Sequence, residues 1–207
     1  MLYAAKTPFW LKWLYPSLIW DLPQASKKVY LSFDDGPHPQ ITPFVLNELK
    51  KFEAKATFFC IADNVRKYPE TFERIIQEGH QIGNHTFNHL NGWKTSDIDY
   101  LRNIERAKTL IDSDLFRPPY GKIRRSQIKA IQQKWPKTKI IMWDVLSADF
   151  DNSISENKCL NNVITNVKAG SIIVFHDSEK AFPKMRHALP ATLKYLHDKG
   201  FDFETIK

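Results

Sequence analysis

The sequence predicts an α/β barrel, and three observations carry that expectation. Short apolar runs alternate with longer stretches of helical pattern, the signature of parallel strands joined by crossover helices. No repeat of fixed period is present, which excludes a solenoid. Asp34, His85, Arg117, Asp149 and His176 each fall just past a different strand candidate. The first observation alone fits either a barrel or an open doubly wound sheet. The third favours the barrel, because closing the sheet gathers every strand end around one mouth.

The chain opens on an apolar, aromatic segment over 9–20 that is interrupted by Lys12 and Pro16. It is too short to span a bilayer and no small-residue cleavage site follows it, so it does not read as a signal peptide. The expectation is an N-terminal arm over 1–26 packed on the core. The alternative is a peripheral surface resting on a membrane, with Trp10, Trp13 and Trp20 as interface anchors. Apolar runs at 29–33, 57–60, 81–84, 115–117, 139–143, 171–175 and 201–204 are then the strands. Helical patterns at 42–52, 68–78, 96–110, 127–135, 156–166 and 184–199 fill the intervals, giving about seven β/α units.

Nothing in the composition divides these units. At 207 residues the chain can bury one substantial core, and no Ser/Gly-rich linker or charge block interrupts it, so 1–207 is expected to be a single domain. Cys60 and Cys159 lie far apart and read as buried thiols rather than a disulfide or a metal-ligand pair. The net charge of +7 would suit an anionic partner such as nucleic acid or a wall polymer. Its lysines and arginines are interspersed with acids along helical segments, however, which describes a solvated surface and argues against a nucleic-acid partner.

Three segments concentrate metal-site chemistry: Phe33-Asp34-Asp35-Gly36-Pro37, His85-Thr86-Phe87-Asn88-His89 and Val174-Phe175-His176-Asp177. Adjacent carboxylates at a strand end point to opposite faces while the chain stays extended. One can therefore bind a metal while the other handles a proton. Histidines four apart share one side of a helical turn, within reach of one ion. Asp, His and His leave room for water, the layout of a catalytic rather than a structural site, and the whole reads as a hydrolase. Other histidines have plainer readings: His80 as a hydrogen-bonded core or turn residue, His187 and His197 as surface. His38, in the loop leaving the first motif, lines the cleft or belongs to that loop alone. Trp93 stacks on a sugar ring or anchors the following helix.

From about Val29 onward the chain resembles the polysaccharide deacetylase family, the carbohydrate esterases that include chitin and peptidoglycan deacetylases. Five motifs occur in the family's order: Ser32-Phe33-Asp34-Asp35-Gly36-Pro37, His85-Thr86-Phe87-Asn88-His89, Arg117-Pro118-Pro119-Tyr120-Gly121, the stretch 143–150, and Val174-Phe175-His176. The resemblance implies a distorted, TIM-like (β/α)7 barrel. It implies Asp34 as general base, with Asp35, His85 and His89 holding a divalent metal, usually Zn2+, while Ni2+, Co2+ or Fe2+ also suit such ligands. Arg117 resembles the arginine that orients the base, and the backbone N–H of Tyr120 the oxyanion donor. His176 resembles the general acid, paired with Asp149, with Asp177 as the runner-up partner. Pro119, Tyr120, Phe150 and Val174 match positions that wall the substrate cleft, joined in this reading by His38 and Trp93.

The fourth motif departs from the pattern, with Leu146 where many relatives carry Asp and Phe150 where they carry Trp; Asp144 is either an alternative partner for Arg117 or a structural or solvent-facing carboxylate. The implied activity is metal-dependent removal of N-acetyl groups from a chitin- or peptidoglycan-type glycan. Alternatives are O-acetyl ester hydrolysis on acetylated xylan, hydrolysis of a non-carbohydrate amide, and a carbohydrate-binding module without catalysis.

Overall fold

A computed structural model describes residues 4–23 and 26–207; residues 1–3 and 24–25 of the predicted arm lie outside the described residues. Helix α1 (Phe9–Leu14) precedes strand β1 (Lys28–Asp34), followed by α2 (Ile41–Lys50), β2 (Ala56–Cys60), α3 (Ala62–Lys67), α4 (Pro69–Gln77) and β3 (Gln81–Asn84). Then come α5 (Asp97–Lys108), β4 (Leu115–Phe116), α6 (Arg125–Lys134), β5 (Lys139–Ile140), β6 (Val145–Leu146), α7 (Glu156–Ile164), β7 (Ile172–His176), α8 (Phe182–Asp198) and β8 (Asp202–Phe203). The strands form one parallel sheet in the order β5-β4-β3-β2-β1-β7-β6, with β8 pairing β1 at its start. The sheet curls into the distorted β/α barrel that the sequence predicts.

β1 shows how the sequence builds this wall. Its odd positions, Val29, Leu31 and Phe33, are fully buried with Leu46 and Leu49 of α2 and Leu193 of α8 in the layer between sheet and helices. Burial of each such side chain stabilises the fold by about 1.5–3 kcal/mol. Its even positions face the barrel interior: Tyr30 joins Phe59, Leu115, Ile141, Ile172 and Ile206 there, while Ser32 and Asp34 meet Arg117. The period of two therefore delivers Asp34 to the inside of the barrel.

The barrel is not closed by its own strands, since β5 and β6 are the two ends of the sheet. The N-terminal segment covers both edges. Ile19 donates to Ile140 O (2.9 Å) and accepts from Met142 N–H (2.7 Å) beside β5; Thr7 donates to Asp144 O (2.9 Å) and Ala5 accepts from Leu146 (2.8 Å) along β6. Exposed edges invite pairing with other chains, and this arm occupies them. A buried carboxylate fastens it: Asp144 accepts from Lys6 (2.5 Å), Lys12 (2.7 Å) and Ser171 Oγ (2.6 Å). Asp144 is thus committed to the arm and is not the alternative partner of Arg117.

Four further expectations need correction. The run at 139–143 is not one strand but ends at Ile140, with a separate β6 beyond it, because the carbonyls of Ile141 and Met142 are taken by the Arg117 guanidinium (3.3 and 2.8 Å) instead of a ladder. Helix α3, six residues long, is too short to show a period and was not predicted from the sequence. His85 and His89 do not share a helical turn; the segment is a reversal with Thr86 and His89 at φ of +67° and +60°. Trp20 is buried, its Nε1 donating to Tyr15 O (3.3 Å), so it is no surface anchor, whereas Trp10 and Trp13 on α1 are exposed. Cys60 and Cys159 are buried thiols, and among the described residues no helix is long and apolar enough to cross a membrane.

Candidate active site

The site lies where the strands end. Arg117, directly after β4, is fully buried and reaches across the barrel to β1: Nη1 donates to Asp34 Oδ1 (2.7 Å) and Ser32 Oγ (2.8 Å). Its Cζ lies over the Phe59 ring, 4.0 Å from the centroid. With Nε and Nη2 held by the two carbonyls, every edge of the guanidinium is engaged, and Asp34 is fixed in one orientation. Ser32 was not singled out in the sequence; the signal was a polar side chain two before Asp34 on the same face of an apolar strand.

Asp35 leaves the strand at φ +81° and turns its carboxylate the other way, toward the second motif. His85 Nε2 and His89 Nε2 lie 3.7 and 3.1 Å from Asp35 Oδ1, and the imidazole centroids are 5.1 Å apart. One donor atom from each of Asp35, His85 and His89 falls within 4.8 Å of the others. His85 Nδ1 sits 2.8 Å from the carbonyl of Arg117, and a carbonyl only accepts, so Nδ1 carries the hydrogen and Nε2 presents a lone pair. Burial pushes His85 down to about 4, keeping that ring neutral. His89 approaches Asp35 closely, yet not in hydrogen-bond geometry, so Oδ1 is buried without a hydrogen-bond donor. A buried acceptor oxygen beside the His85 lone pair and a second imidazole nitrogen is a donor set that fits a divalent cation. Burial disfavours a charged Asp35, but His89, His176 and His85 outweigh it and hold the carboxyl below its usual range.

Helix α3 staples the two loops that carry these candidate ligands. Ile61 N–H and Asn64 Nδ2 donate to Gly36 O (2.9 Å) and Asp35 O (2.8 Å), while Ala62 and Asp63 N–H donate to Thr86 O (3.1 Å) and Phe87 O (2.9 Å). The helix's unsatisfied N-terminal donors are spent on the site's backbone. Asp35, Thr86, His89, Tyr120 and Ala148 all have positive φ, so strained backbone gathers around this mouth.

On the neighbouring strand, β7 pairs with β1 so that Asp34 and His176 are in register. Asp149, past β6 and fully buried, grips His176 twice, accepting from its backbone N–H and from Nδ1, both at 2.7 Å. Nδ1 therefore carries the hydrogen toward Asp149. Burial alone would lower His176, but the Asp149 charge and hydrogen bond, with Asp35 and Asp34 adding to them, raise it to about 10. Phe150 stands edge-on to His176, ring centroids 5.2 Å apart. Val174, paired with Ser32 and Leu146, is buried in the sheet.

The third motif makes a 3-10 turn, Pro119–Gly121, with Pro119 buried and Tyr120 at φ +61°. The Tyr120 hydroxyl is 3.1 Å from His89 Nδ1. Trp93 is 60% exposed, its Nε1 donating to Ile123 O (3.2 Å), so its edge is anchored while its ring remains open to solvent. His38 acts locally: Nδ1 accepts from the N–H groups of Gln40 and Ile41 (both 3.2 Å) at the start of α2. Asp177 is not the partner of His176; it binds Gly36 N–H (3.0 Å) and the Thr42 hydroxyl. His80 accepts from Ala56 N–H (3.2 Å) in the core, away from the metal-ligand set.

Known proteins resemble this chain in sequence and fold. A family model described as polysaccharide deacetylase matches residues 21–135. The chain is 34% identical over 192 residues to a peptidoglycan-N-acetylglucosamine deacetylase of Bacillus cereus, covering 90% of each. It is 32% identical over 161 residues to a chitooligosaccharide deacetylase of Azorhizobium caulinodans, covering 74% of this chain and 75% of that one. The crystal structure of the Bc1960 peptidoglycan N-acetylglucosamine deacetylase superposes with a TM-score of 0.87 at 32% identity, over 97% of this chain and 95% of that one. With a matching family model over more than half its length and relatives at this identity over nearly all of it, the chain belongs to the polysaccharide deacetylase family of hydrolases.

Proposed function

We propose that the protein removes N-acetyl groups from a chitin- or peptidoglycan-type glycan, using a divalent metal, Zn2+ in the first instance, held by Asp35, His85 and His89. The observation that supports this most is the pairing of two differently supported groups across one metal-ligand set: Asp34 locked by Arg117, and His176 locked by Asp149. Bound there, the metal would polarise the acetyl carbonyl and acidify water.

In this reading Asp34 takes the proton from the attacking water, and its single orientation sets the direction of that transfer. The Tyr120 backbone N–H donates to the developing oxyanion. His176 gives the proton at Nε2 to the departing amine, its Nδ1–H being retained on Asp149. Pro119, Tyr120, Phe150 and Val174 shape the pocket. Trp93, with its anchored edge and open ring, stacks on a sugar of the glycan; His38, whose Nδ1 is committed to a helix start and whose Nε2 lies 3.5 Å from Glu179 Oε1, contributes at the rim.

The reading is tested by acetate release from chitin oligomers, peptidoglycan fragments and acetylated xylan, before chelation, after it, and after adding back Zn2+, Ni2+ or Co2+. Metal-dependent release from the first or second supports it; release from xylan alone assigns ester hydrolysis instead, and none from any substrate in the metal-loaded protein refutes it. A peripheral lipid contact through α1 is part of the same proposal, supported by Phe9 and Trp13 standing 84% and 82% exposed on one helix face. Sedimentation with anionic vesicles, lost in Trp13→Ala, tests it; equal sedimentation of both proteins refutes it.

A further inference from the structure

Asp177 is a buried carboxylate, 1% exposed, that the reaction just described does not use. Its backbone N–H donates to Asp34 O (3.1 Å), carrying the β1–β7 ladder one step past the strand ends. Its side chain then turns to the first motif from behind. Oδ1 accepts from Gly36 N–H (3.0 Å), and Oδ2 accepts from the Thr42 hydroxyl, whose oxygen in turn accepts from His38 N–H (2.8 Å). One carboxylate thus ties both ends of the turn at 36–38, directly after Asp35. The fit is close: a Cβ on Gly36 would stand 2.6 Å from Asp177 Cγ and closer still to Oδ2, so the glycine is what lets the carboxylate reach the backbone.

We propose that Asp177 is a positioning residue for the metal centre, holding the Asp35 carboxylate in its place opposite His85 and His89. The physical reason lies in the backbone of Asp35. At φ +81° it occupies a region that side-chain-bearing residues rarely adopt, and it stays there only where neighbours over-determine it. Asn64 and Ile61 fix the carbonyls of Asp35 and Gly36, and Asp177 fixes the one N–H between them and the next turn. Without that acceptor the Asp35–Gly36 peptide keeps only the Asn64 bond, and the Asp35 backbone is freer to relax from its positive φ, which would swing the Asp35 side chain away from the imidazoles. Residues that hold ligands in this way typically change metal affinity by about 10–100-fold when removed.

The inference rests on Asp35, His85 and His89 being the metal site, and the test separates the two. Zn2+ affinity is measured by competition with a chromophoric chelator for the wild type, Asp177→Ala, Asp177→Asn, Thr42→Val and Leu193→Ala. Asp177→Ala is expected to weaken Zn2+ binding about 10–100-fold. Asp177→Asn, which keeps an oxygen for Gly36 N–H, is expected to restore most of it. Leu193→Ala cuts a cavity in the distant α8 core and is expected to lower thermal stability while leaving Zn2+ affinity unchanged. Wild-type affinity in Asp177→Ala, or an equal loss in Leu193→Ala, overturns the inference. If Asp177→Ala does not fold, Thr42→Val decides, because it frees one carboxylate oxygen: a several-fold loss supports the inference and no loss overturns it. A wild-type protein that binds no Zn2+ at all would overturn the metal site itself.

Discussion

Replacing Arg117 with methionine removes a cation but keeps a side chain of similar reach, so it isolates what the guanidinium contributes. In the native barrel this group satisfies Asp34, Ser32 and the carbonyls of Ile141 and Met142 at 2.7–3.3 Å, with no exposure to solvent. Arg117→Met strands the Asp34 carboxylate, itself only 3% exposed, without a counter-charge. Removing one partner of a buried pair costs about 3–5 kcal/mol, and the two carbonyls left without donors add about 1 kcal/mol or more each. A total near 5 kcal/mol is a large part of the stability of an ordinary domain, about 5–15 kcal/mol. At about 2–4 °C per kcal/mol for a chain of this size, Tm should fall by about 10–20 °C. Thermal and urea unfolding read the loss directly. Asp34→Asn/Arg117→Met should recover about 2 kcal/mol of it, because no buried charge is left unpaired. A loss below about 1 kcal/mol in the single variant, the value of a surface pair, would refute the claim that this contact organises the barrel interior.

The assigned roles make further expectations. Asp34→Asn should keep its metal but lose about 10²–10⁴ in turnover, whereas His85→Ala should lose both; full turnover in the first, with metal present, would remove Asp34 as base. His176 is protonated below a pKa raised to about 10 by Asp149 in particular, so its contribution to stability is complete below the unfolded value near 6.5 and lost as pH rises through about 10. Asp149→Asn should therefore shift the alkaline limb of the kcat/KM profile to lower pH; an unmoved limb would show that another group controls it. His80, lowered to about 4 mainly by burial, should stay neutral at pH 5.5 in an NMR titration, and its contribution, present above 6.5, is lost as pH falls through about 4. Titration of His80 near 6.5 would contradict its placement in the core.

Much of the fold was legible because period and length report burial. The strands at 29–33, 57–60 and 171–175 are mostly apolar runs, and together with 81–84 they form the centre of the sheet, where both faces are covered. The sheet's ends were less legible. β5 and β6 have two residues each, and what stops β5 is a guanidinium arriving from a residue more than twenty positions away, a contact no local pattern encodes. The aromatic arm could be read as apolar, but not as the cover for both edges, since its partners are carbonyls and amides distant in sequence.

The candidate site divides in the same way. Which side chains are available was legible before any folding, because Asp, His and Arg at strand ends are chemically specific, and their motifs kept a recognisable order. The sequence also set Asp34 and Asp35 on opposite sides of an extended chain, through the two-residue strand period. The folded barrel adds that Asp35 turns away at positive φ, that His85 and His89 converge through a strained reversal rather than a helical turn, and that Asp144 serves the arm while Asp149 serves His176. The same holds for Asp177, whose target is Gly36 rather than the histidine beside it. The physical reason is that side-chain chemistry is a property of the residue, whereas the partner of a buried polar group is set by whichever distant backbone and charge the closed barrel brings within hydrogen-bond reach.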